Sequence, residues 1–335
     1  MGRLALSYNP RMTGACIRCG EPLPGKPAKY CGNCGVRLPR RAQPAAAPVV
    51  PGPSGLPARY EVVKFLGSGA MGRVYRCRDV ELDVEVAVKI LLHEVAADEG
   101  ALQRIRKEAR AAARLRECPG ILNLYGFEKS GESWYLVMEY APGGTLLDRL
   151  KAERAIPEAD CRRLGAEVAD ALAFAHERNV LHRDIKPANI LFAEGGRAMV
   201  GDFGLARIFE DGDGKPRPVT MAGTPLYMAP EILLREKADG RADLFSLGCT
   251  LYEASTGERP FPGSLTEMTV AKADHRGPIP DPRAARPDLT EEFSGILRCM
   301  LAADPRKRFP DGAACAAALR RGLPATGAQE PIRGT

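Results

Sequence analysis

The sequence has no window of about eighteen apolar residues, so no membrane span is expected. The first residues lack an apolar h-region and carry Ser7, Asn9 and Arg11 where one would sit, which argues against secretion. Charge of one sign is also scarce over most of the chain. Residues 1–58 hold eight Lys/Arg and the single acid Glu21, leaving 40 basic and 41 acidic residues for 59–335. The net charge of +6 therefore belongs to the N-terminal segment. Metal-bound thiolates would offset most of it there, so the charge carries no nucleic-acid footprint. Ten cysteines are present, but four are spaced for metal. The other six (Cys77, Cys118, Cys161, Cys249, Cys299 and Cys315) sit in apolar or helical contexts as small core or surface residues. A reduced, cytoplasmic protein is the expectation. With 335 residues and 45% hydrophobic content, the chain can bury a large core and hold more than one unit.

Residues 1–13 carry no pattern and are expected to be unstructured; Met12 is an alternative to Met1 as the start. Cys16-Ile17-Arg18-Cys19 and Cys31-Gly32-Asn33-Cys34 follow, each pair trailed by a glycine (Gly20, Gly35) that lets the backbone turn tightly. Four thiolates suit tetrahedral Zn²⁺, and so short a segment cannot fold by apolar burial alone. Two disulfides or a redox pair are the other readings; the paired C-x-x-C spacing favours zinc. Residues 14–38 look like a zinc ribbon, with a structural or protein-docking role, because no histidine or acid nearby offers an open metal position. Residues 39–58, rich in Pro and Ala, read as a semi-extended linker.

The pattern then changes. Tyr60–Leu66 alternates like a strand, Gly67-Ser68-Gly69-Ala70-Met71-Gly72-Arg73-Val74 follows, and a second strand runs through Cys77. G-x-G-x-x-G alone also suits a dinucleotide-binding turn, but that turn opens a helix, whereas here a strand led by Val74-Tyr75 comes next. Val86-Ala87-Val88-Lys89 is the next strand. Residues 99–116 are rich in helix formers, with Leu102, Ile105, Ala109, Ala112 and Leu115 on one face and Glu108 among them. Trp134–Glu139 is a strand that ends in Ala141-Pro142-Gly143-Gly144. Pro157 stands at a first helical position and starts a helix to about Arg178, with Leu164, Val168, Leu172 and Ala175 as its buried stripe.

The chain is organised around Leu181-His182-Arg183-Asp184-Ile185-Lys186-Pro187-Ala188-Asn189 and Gly201-Asp202-Phe203-Gly204. Two acids, an amide and a lysine lie close together between short apolar runs. Phosphoryl transfer needs such a set: one carboxylate to orient a hydroxyl, another with an amide oxygen to hold Mg²⁺, and a lysine to offset phosphoryl charge. Gly223-Thr224-Pro225-Leu226-Tyr227-Met228-Ala229-Pro230-Glu231 comes later, then an apolar helix over 241–252 that carries Asp243, then Asp304-Pro305-Arg306-Lys307-Arg308.

From about Tyr60 to Leu323 this ordered series resembles the protein kinases, in particular bacterial Hanks-type serine/threonine kinases. The resemblance implies an α+β, bilobal kinase fold over 59–323, with an N-lobe at 59–141, a C-lobe at 142–323 and a disordered tail at 324–335. It implies Asp184 as the catalytic acid–base group, Lys186 beside the transferred phosphoryl, Asn189 and Asp202 as Mg²⁺ (or Mn²⁺) ligands, and a Lys89–Glu108 pair that positions the phosphates. ATP would meet Leu66, Gly67, Ser68, Gly69, Ala70, Met71, Gly72, Arg73, Val74, Ala87, Met138, Glu139, Ala141 and Leu191. Thr224 would help to dock the acceptor, and Thr220 would be phosphorylated to order the activation segment around Arg183 and Arg207. Asp243 would bond the catalytic-loop backbone, and Arg308 would pair with Glu231; Phe309, where the family usually has proline, is a departure. Expected partners are Ser/Thr protein substrates, a protein at the ribbon and a second copy in a transient dimer for autophosphorylation. A pseudokinase would have lost Lys89, Asp184, Asn189 or Asp202, and none is lost. A nucleic-acid-binding ribbon would want clustered cations and aromatics, and Arg18, Lys26, Lys29, Tyr30 and Arg37 are too few.

Overall fold

The computed structural model describes residues 56–69, 71–203, 224–274, 277–321 and 323. The expected ribbon with Cys16, Cys19, Cys31 and Cys34 therefore lies outside the described residues, as do Ala70, Arg207, Thr220, the side chain of Thr224 and the tail.

The first half of the described chain is a five-stranded antiparallel sheet. Its strands are β1 (Tyr60–Gly69), β2 (Gly72–Asp79), β3 (Val84–Leu91), β4 (Leu124–Ser130) and β5 (Ser133–Glu139), in the order β1-β2-β3-β5-β4. Both faces carry buried side chains. Alternation along β3 sends Val86 and Val88 to one face, where they pack with Tyr60, Val62, Cys77, Tyr135 and Val137. Ala87 and Leu91 go to the other, against Leu136, Met138 and the stripe Ala101, Leu102 and Ile105 of a helix. Lys89 shares the parity of Ala87 and Leu91, and so faces the helix side.

That helix, α2 (Glu99–Ala113), follows the short α1 (His93–Ala97) and is capped by the Asp98 side chain, which accepts from Ala101 N at 3.0 Å. It ends at Ala113, three residues short of the sequence expectation, and its buried positions are Ala101, Leu102, Ile105 and Glu108. Ala109 and Ala112 are only half-buried, so a charged residue occupies the end of the buried stripe.

The second half is helical: α3 (Leu146–Glu153), α4 (Glu158–Glu177), α5 (Pro230–Leu233), α6 (Arg241–Thr256), α7 (Leu265–Ala273), α8 (Glu291–Met300) and α9 (Gly312–Arg320). Between α4 and α5 lies a two-stranded ribbon, β6 (Ile190–Phe192) with β7 (Ala198–Val200). Pro157 is extended (φ −58°, ψ 146°), so it caps α4 from outside rather than opening it. The predicted stripe Leu164, Val168, Leu172 and Ala175 is buried. α6 is buried on nearly every side, as its apolar composition requires, and it puts Asp243 inside the core. The segment after the sheet is zipped to the ribbon: Gly143 N donates to Phe192 O at 2.9 Å and Phe192 N to Gly144 O at 3.0 Å. A side chain at 143 would strike the Phe192 backbone and Cβ at 2.6–2.7 Å, so glycine is required by this close approach.

Candidate active site

Asp243 organises the loop from Val180 to Asn189. Its Oδ2 accepts the His182 backbone N–H at 2.8 Å and its Oδ1 accepts that of Arg183 at 2.7 Å, while His176 Nε2 of α4 lies 2.8 Å from Oδ2. Burial works against ionisation of this carboxyl, but the His176 bond, the nearby His182 ring and the backbone donor outweigh it and hold it below the usual carboxylate range. The expected bond from Asp243 to the loop backbone is thus present. Arg183 has φ +66°, a left-handed conformation that non-glycine residues adopt only where neighbours enforce it. His182 is fully buried; its Nδ1 accepts from Asp184 N at 3.1 Å, so Nε2 carries the proton donated to Gly201 O at 2.8 Å. One imidazole therefore ties the loop to the strand exit after β7.

The loop presents the predicted polar set together. Asp184 Oδ2 accepts from Lys186 Nζ at 2.7 Å and from Asn189 Nδ2 at 3.0 Å, and Asp184 O accepts from the same Nδ2 at 2.8 Å. Both amide donor contacts go to Asp184, which leaves Asn189 Oδ1 as the amide atom suited to a cation and Asp184 Oδ1 as the carboxylate atom suited to a hydroxyl. Gly201 N donates to Asn189 O at 2.9 Å, which brings Asp202 beside the loop. Asp202 has φ +56° and accepts from Lys89 Nζ at 2.8 Å. Enclosure raises its affinity for a proton, but Lys89 chiefly, then His182 and Lys186, hold it ionised below its ordinary value.

Here the geometry departs from expectation. Among the described residues no ion pair joins Lys89 to Glu108; the partner of Lys89 is Asp202. Lys89 reaches from the helix-side face of β3 toward the strand exit after β7, and one ammonium within bonding distance of a carboxylate satisfies both charges. Glu108 is buried on α2 as the sequence placed it.

The glycine-rich segment is a tight hairpin, with Gly69 opposite Gly72 and Ser68 opposite Arg73. Its glycines have different causes. A Cβ at Gly72 would meet Ile90 O at 2.1 Å, so β3 excludes a side chain there. At Gly67 and Gly69 it would meet nothing within 4 Å, so packing does not demand these glycines, and the backbone is bare toward open space. Leu66 is exposed on β1, and Val74 packs at the edge of the helix-side core. Met71 is buried against β3 and α2, with its carbonyl bonded to Leu92 N at 2.9 Å. Ala87 and Met138 sit directly opposite each other on β3 and β5. Glu139 N is taken by Asn123 O at 2.8 Å, so of its two main-chain groups only the carbonyl can serve a purine. Ala141 is buried, and Leu191 on β6 lies against Gly201.

A bare-backboned hairpin, a lysine bonded to an aspartate after a short ribbon, and an Asp-x-Lys-x-x-Asn loop anchored from the core occur together in one family. A family profile described as "Protein kinase domain" matches residues 60–318. The chain belongs to the protein kinase family. Its kinase domain is 36% identical over 274 residues to a serine/threonine-protein kinase, PknB, of Mycolicibacterium smegmatis, a match covering 80% of this chain and 44% of that protein. It is 34% identical over 273 residues to the PknB of Mycobacterium leprae, with the same coverages. The chain thus spans less than half the length of these relatives. Among solved structures, the kinase domain resembles that of Mycobacterium tuberculosis PknI with a TM-score of 0.60 and 31% identity, covering 80% of this chain and 98% of that one.

In the kinase domain a buried charge pair ties Glu231 of α5 to the chain after α8. Arg308 Nη1 and Nη2 donate to Glu231 Oε1 and Oε2 at 2.6 and 2.9 Å, as expected from the sequence, and Arg308 also bonds the carbonyls of Ala302, Ala303 and Arg241. Sequence reasoning missed Lys272 on α7, whose Nζ meets three carbonyls of residues 225–228. It also missed His176 and the tautomer-setting role of His182. A lysine in the last turn of a short helix carries no signal that separates it from a solvated one. Among the described residues, no group of three or more His, Cys, Asp or Glu side chains is gathered to hold a metal, and no helix is long and apolar enough to cross a membrane.

Proposed function

We propose that the protein is a serine/threonine protein kinase that transfers the γ-phosphoryl group of ATP to Ser/Thr hydroxyls of proteins in bacterial signalling. The observation that carries this is the convergence of Asp184, Lys186 and Asn189 in one hydrogen-bonded cluster beside the Lys89–Asp202 pair. Asp184 Oδ1 takes the hydrogen bond of the acceptor hydroxyl and aligns it for in-line attack, while Lys186 keeps the carboxylate in place and offsets phosphoryl charge. Asn189 Oδ1 and the Asp202 carboxylate fit a hard divalent cation, Mg²⁺ or Mn²⁺, which supplies charge neutralisation on the phosphates. Lys89 then serves the phosphates. Gly67 to Val74 cover the phosphates, and Ala87, Met138, Glu139, Ala141 and Leu191 receive the purine. Thr224 helps to dock the acceptor. Thr220, on the same reading, is an autophosphorylation site, served by a transient pair of copies, whose charge orders the segment through Arg183 and Arg207.

Residues 14–38 are proposed to form a zinc ribbon on Cys16, Cys19, Cys31 and Cys34 that docks a protein partner, tethered by the linker at 39–58, in a cytoplasmic protein. The kinase reading is tested with Lys89→Met and Asp184→Asn under Mg·ATP, with phosphopeptide mapping. Wild-type protein is expected to label itself at Thr220, and both variants to lose labelling while melting normally. Wild-type-like labelling in either variant refutes the site assignment, and unlabelled Thr220 in active protein refutes that switch.

A further inference from the structure

Lys272 lies on α7, outside every motif of the site, and its side chain is 1% exposed. Its Nζ donates to Pro225 O at 2.9 Å, Leu226 O at 2.8 Å and Met228 O at 2.9 Å. Those three bonds use all three ammonium protons. Among the described residues no carboxylate pairs with it; the rings of Phe245 and Phe261 lie 5.8 and 5.9 Å from the nitrogen. A buried ammonium held by neutral carbonyls is costly, and an apolar side chain would fill the same place on α7 more cheaply. Packing alone does not explain this lysine.

What the ammonium does is geometric. Three carbonyls within four residues turn toward one point, which sets the peptide planes of the loop from Pro225 to Met228. Among the described residues, side-chain contacts also hold this stretch and the helix after it: the Tyr227 hydroxyl donates to Glu253 of α6, and Glu231 of α5 pairs with Arg308. The Lys272 bonds, by contrast, grip the main chain. The catalytic loop is anchored separately, by Asp243 and His182.

We infer that Lys272 is a positioning residue for the protein substrate: it fixes the backbone of residues 225–228, which directly follow Thr224, the residue given above to docking the acceptor, and it does not act on ATP. This rests on the kinase reading above. The test uses the full chain with Lys272→Met and Lys272→Arg, assayed with dephosphorylated casein and Mg·ATP, together with hydrogen exchange. In Lys272→Met the casein KM is expected to rise by about tenfold or more while the ATP KM stays within about twofold, a split that loss of one main-chain clamp of ordinary strength would give. Lys272→Arg keeps the charge but cannot converge on three carbonyls, and is expected to fall between. Amides of residues 226–229 should exchange faster and those of 181–190 should not. If Lys272→Met does not melt cooperatively, Lys272→Arg and Tyr227→Phe, which loosens the same loop from its other side, decide by the same split. Unchanged casein KM with unchanged exchange, or equal rises in both KM values, overturns the inference. Wild-type protein that phosphorylates no casein counts against the kinase reading instead, and the exchange pattern then decides the role of Lys272 on its own.

Discussion

Replacing Asp243 by asparagine tests whether the core, rather than the loop itself, holds the catalytic geometry. Aspartate offers two acceptor oxygens to the His182 and Arg183 amides and to His176. Asparagine offers one acceptor and a donor group, so at least one buried N–H must face an NH₂ without a partner. That costs about 1–3 kcal/mol. Arg183 adds to this: its left-handed backbone stores about 1–3 kcal/mol, released once the Asp243 grip weakens. Together about 2–6 kcal/mol is available to move Asp184 out of position, which corresponds to a fall in kcat of roughly 30- to 25,000-fold. The assay is turnover with casein and saturating Mg·ATP, paired with hydrogen exchange at residues 182–184. A kcat within about threefold of wild type, with unchanged exchange, would refute the claim that Asp243 holds the loop.

The same residue gives a pH signature. Its folded carboxyl is held below its ordinary value near 4, so its stabilisation is complete above that pH and is lost as pH falls through the lower folded value. Asp243→Asn should therefore flatten the acid limb of stability below about pH 4, and an unchanged limb would refute it. Glu231→Ala leaves the Arg308 guanidinium buried without its carboxylate and should cost about 3–5 kcal/mol, seen as a drop in Tm of about 6–20 °C; a drop under about 3 °C would show the pair to be dispensable. For the proposed ribbon, metal analysis should find one Zn²⁺ per chain, and a chelator should remove it while kinase-domain melting stays nearly unchanged; zinc-free protein purified anaerobically would remove the claim.

Much of the site was legible because its parts are close in sequence. Asp184, Lys186 and Asn189 fall within one short loop, and two three-residue strands carry the chain directly to Asp202. Local spacing alone brings them together, and side-chain alternation puts Lys89 on the correct face of β3. The Asp243 and Arg308 contacts came through the family resemblance rather than through periodicity. The glycines show the limit of such reading. All three of the G-x-G-x-x-G set look alike in sequence, yet Gly72 is demanded by the Ile90 carbonyl, while Gly67 and Gly69 are not demanded by packing at all.

By itself the sequence determined the type of the elements it read, the buried stripe of α4 and the chemical inventory of the loop, because these depend on periods of two or 3.6 residues and on short spacings. Only the tertiary structure decided which charges meet. Lys89 pairs with Asp202, 113 residues away, rather than with Glu108, and Lys272 reaches carbonyls 44 to 47 residues earlier. A lysine looks the same in sequence whether water or three carbonyls surround it. Its partner is set by the path of the chain through space.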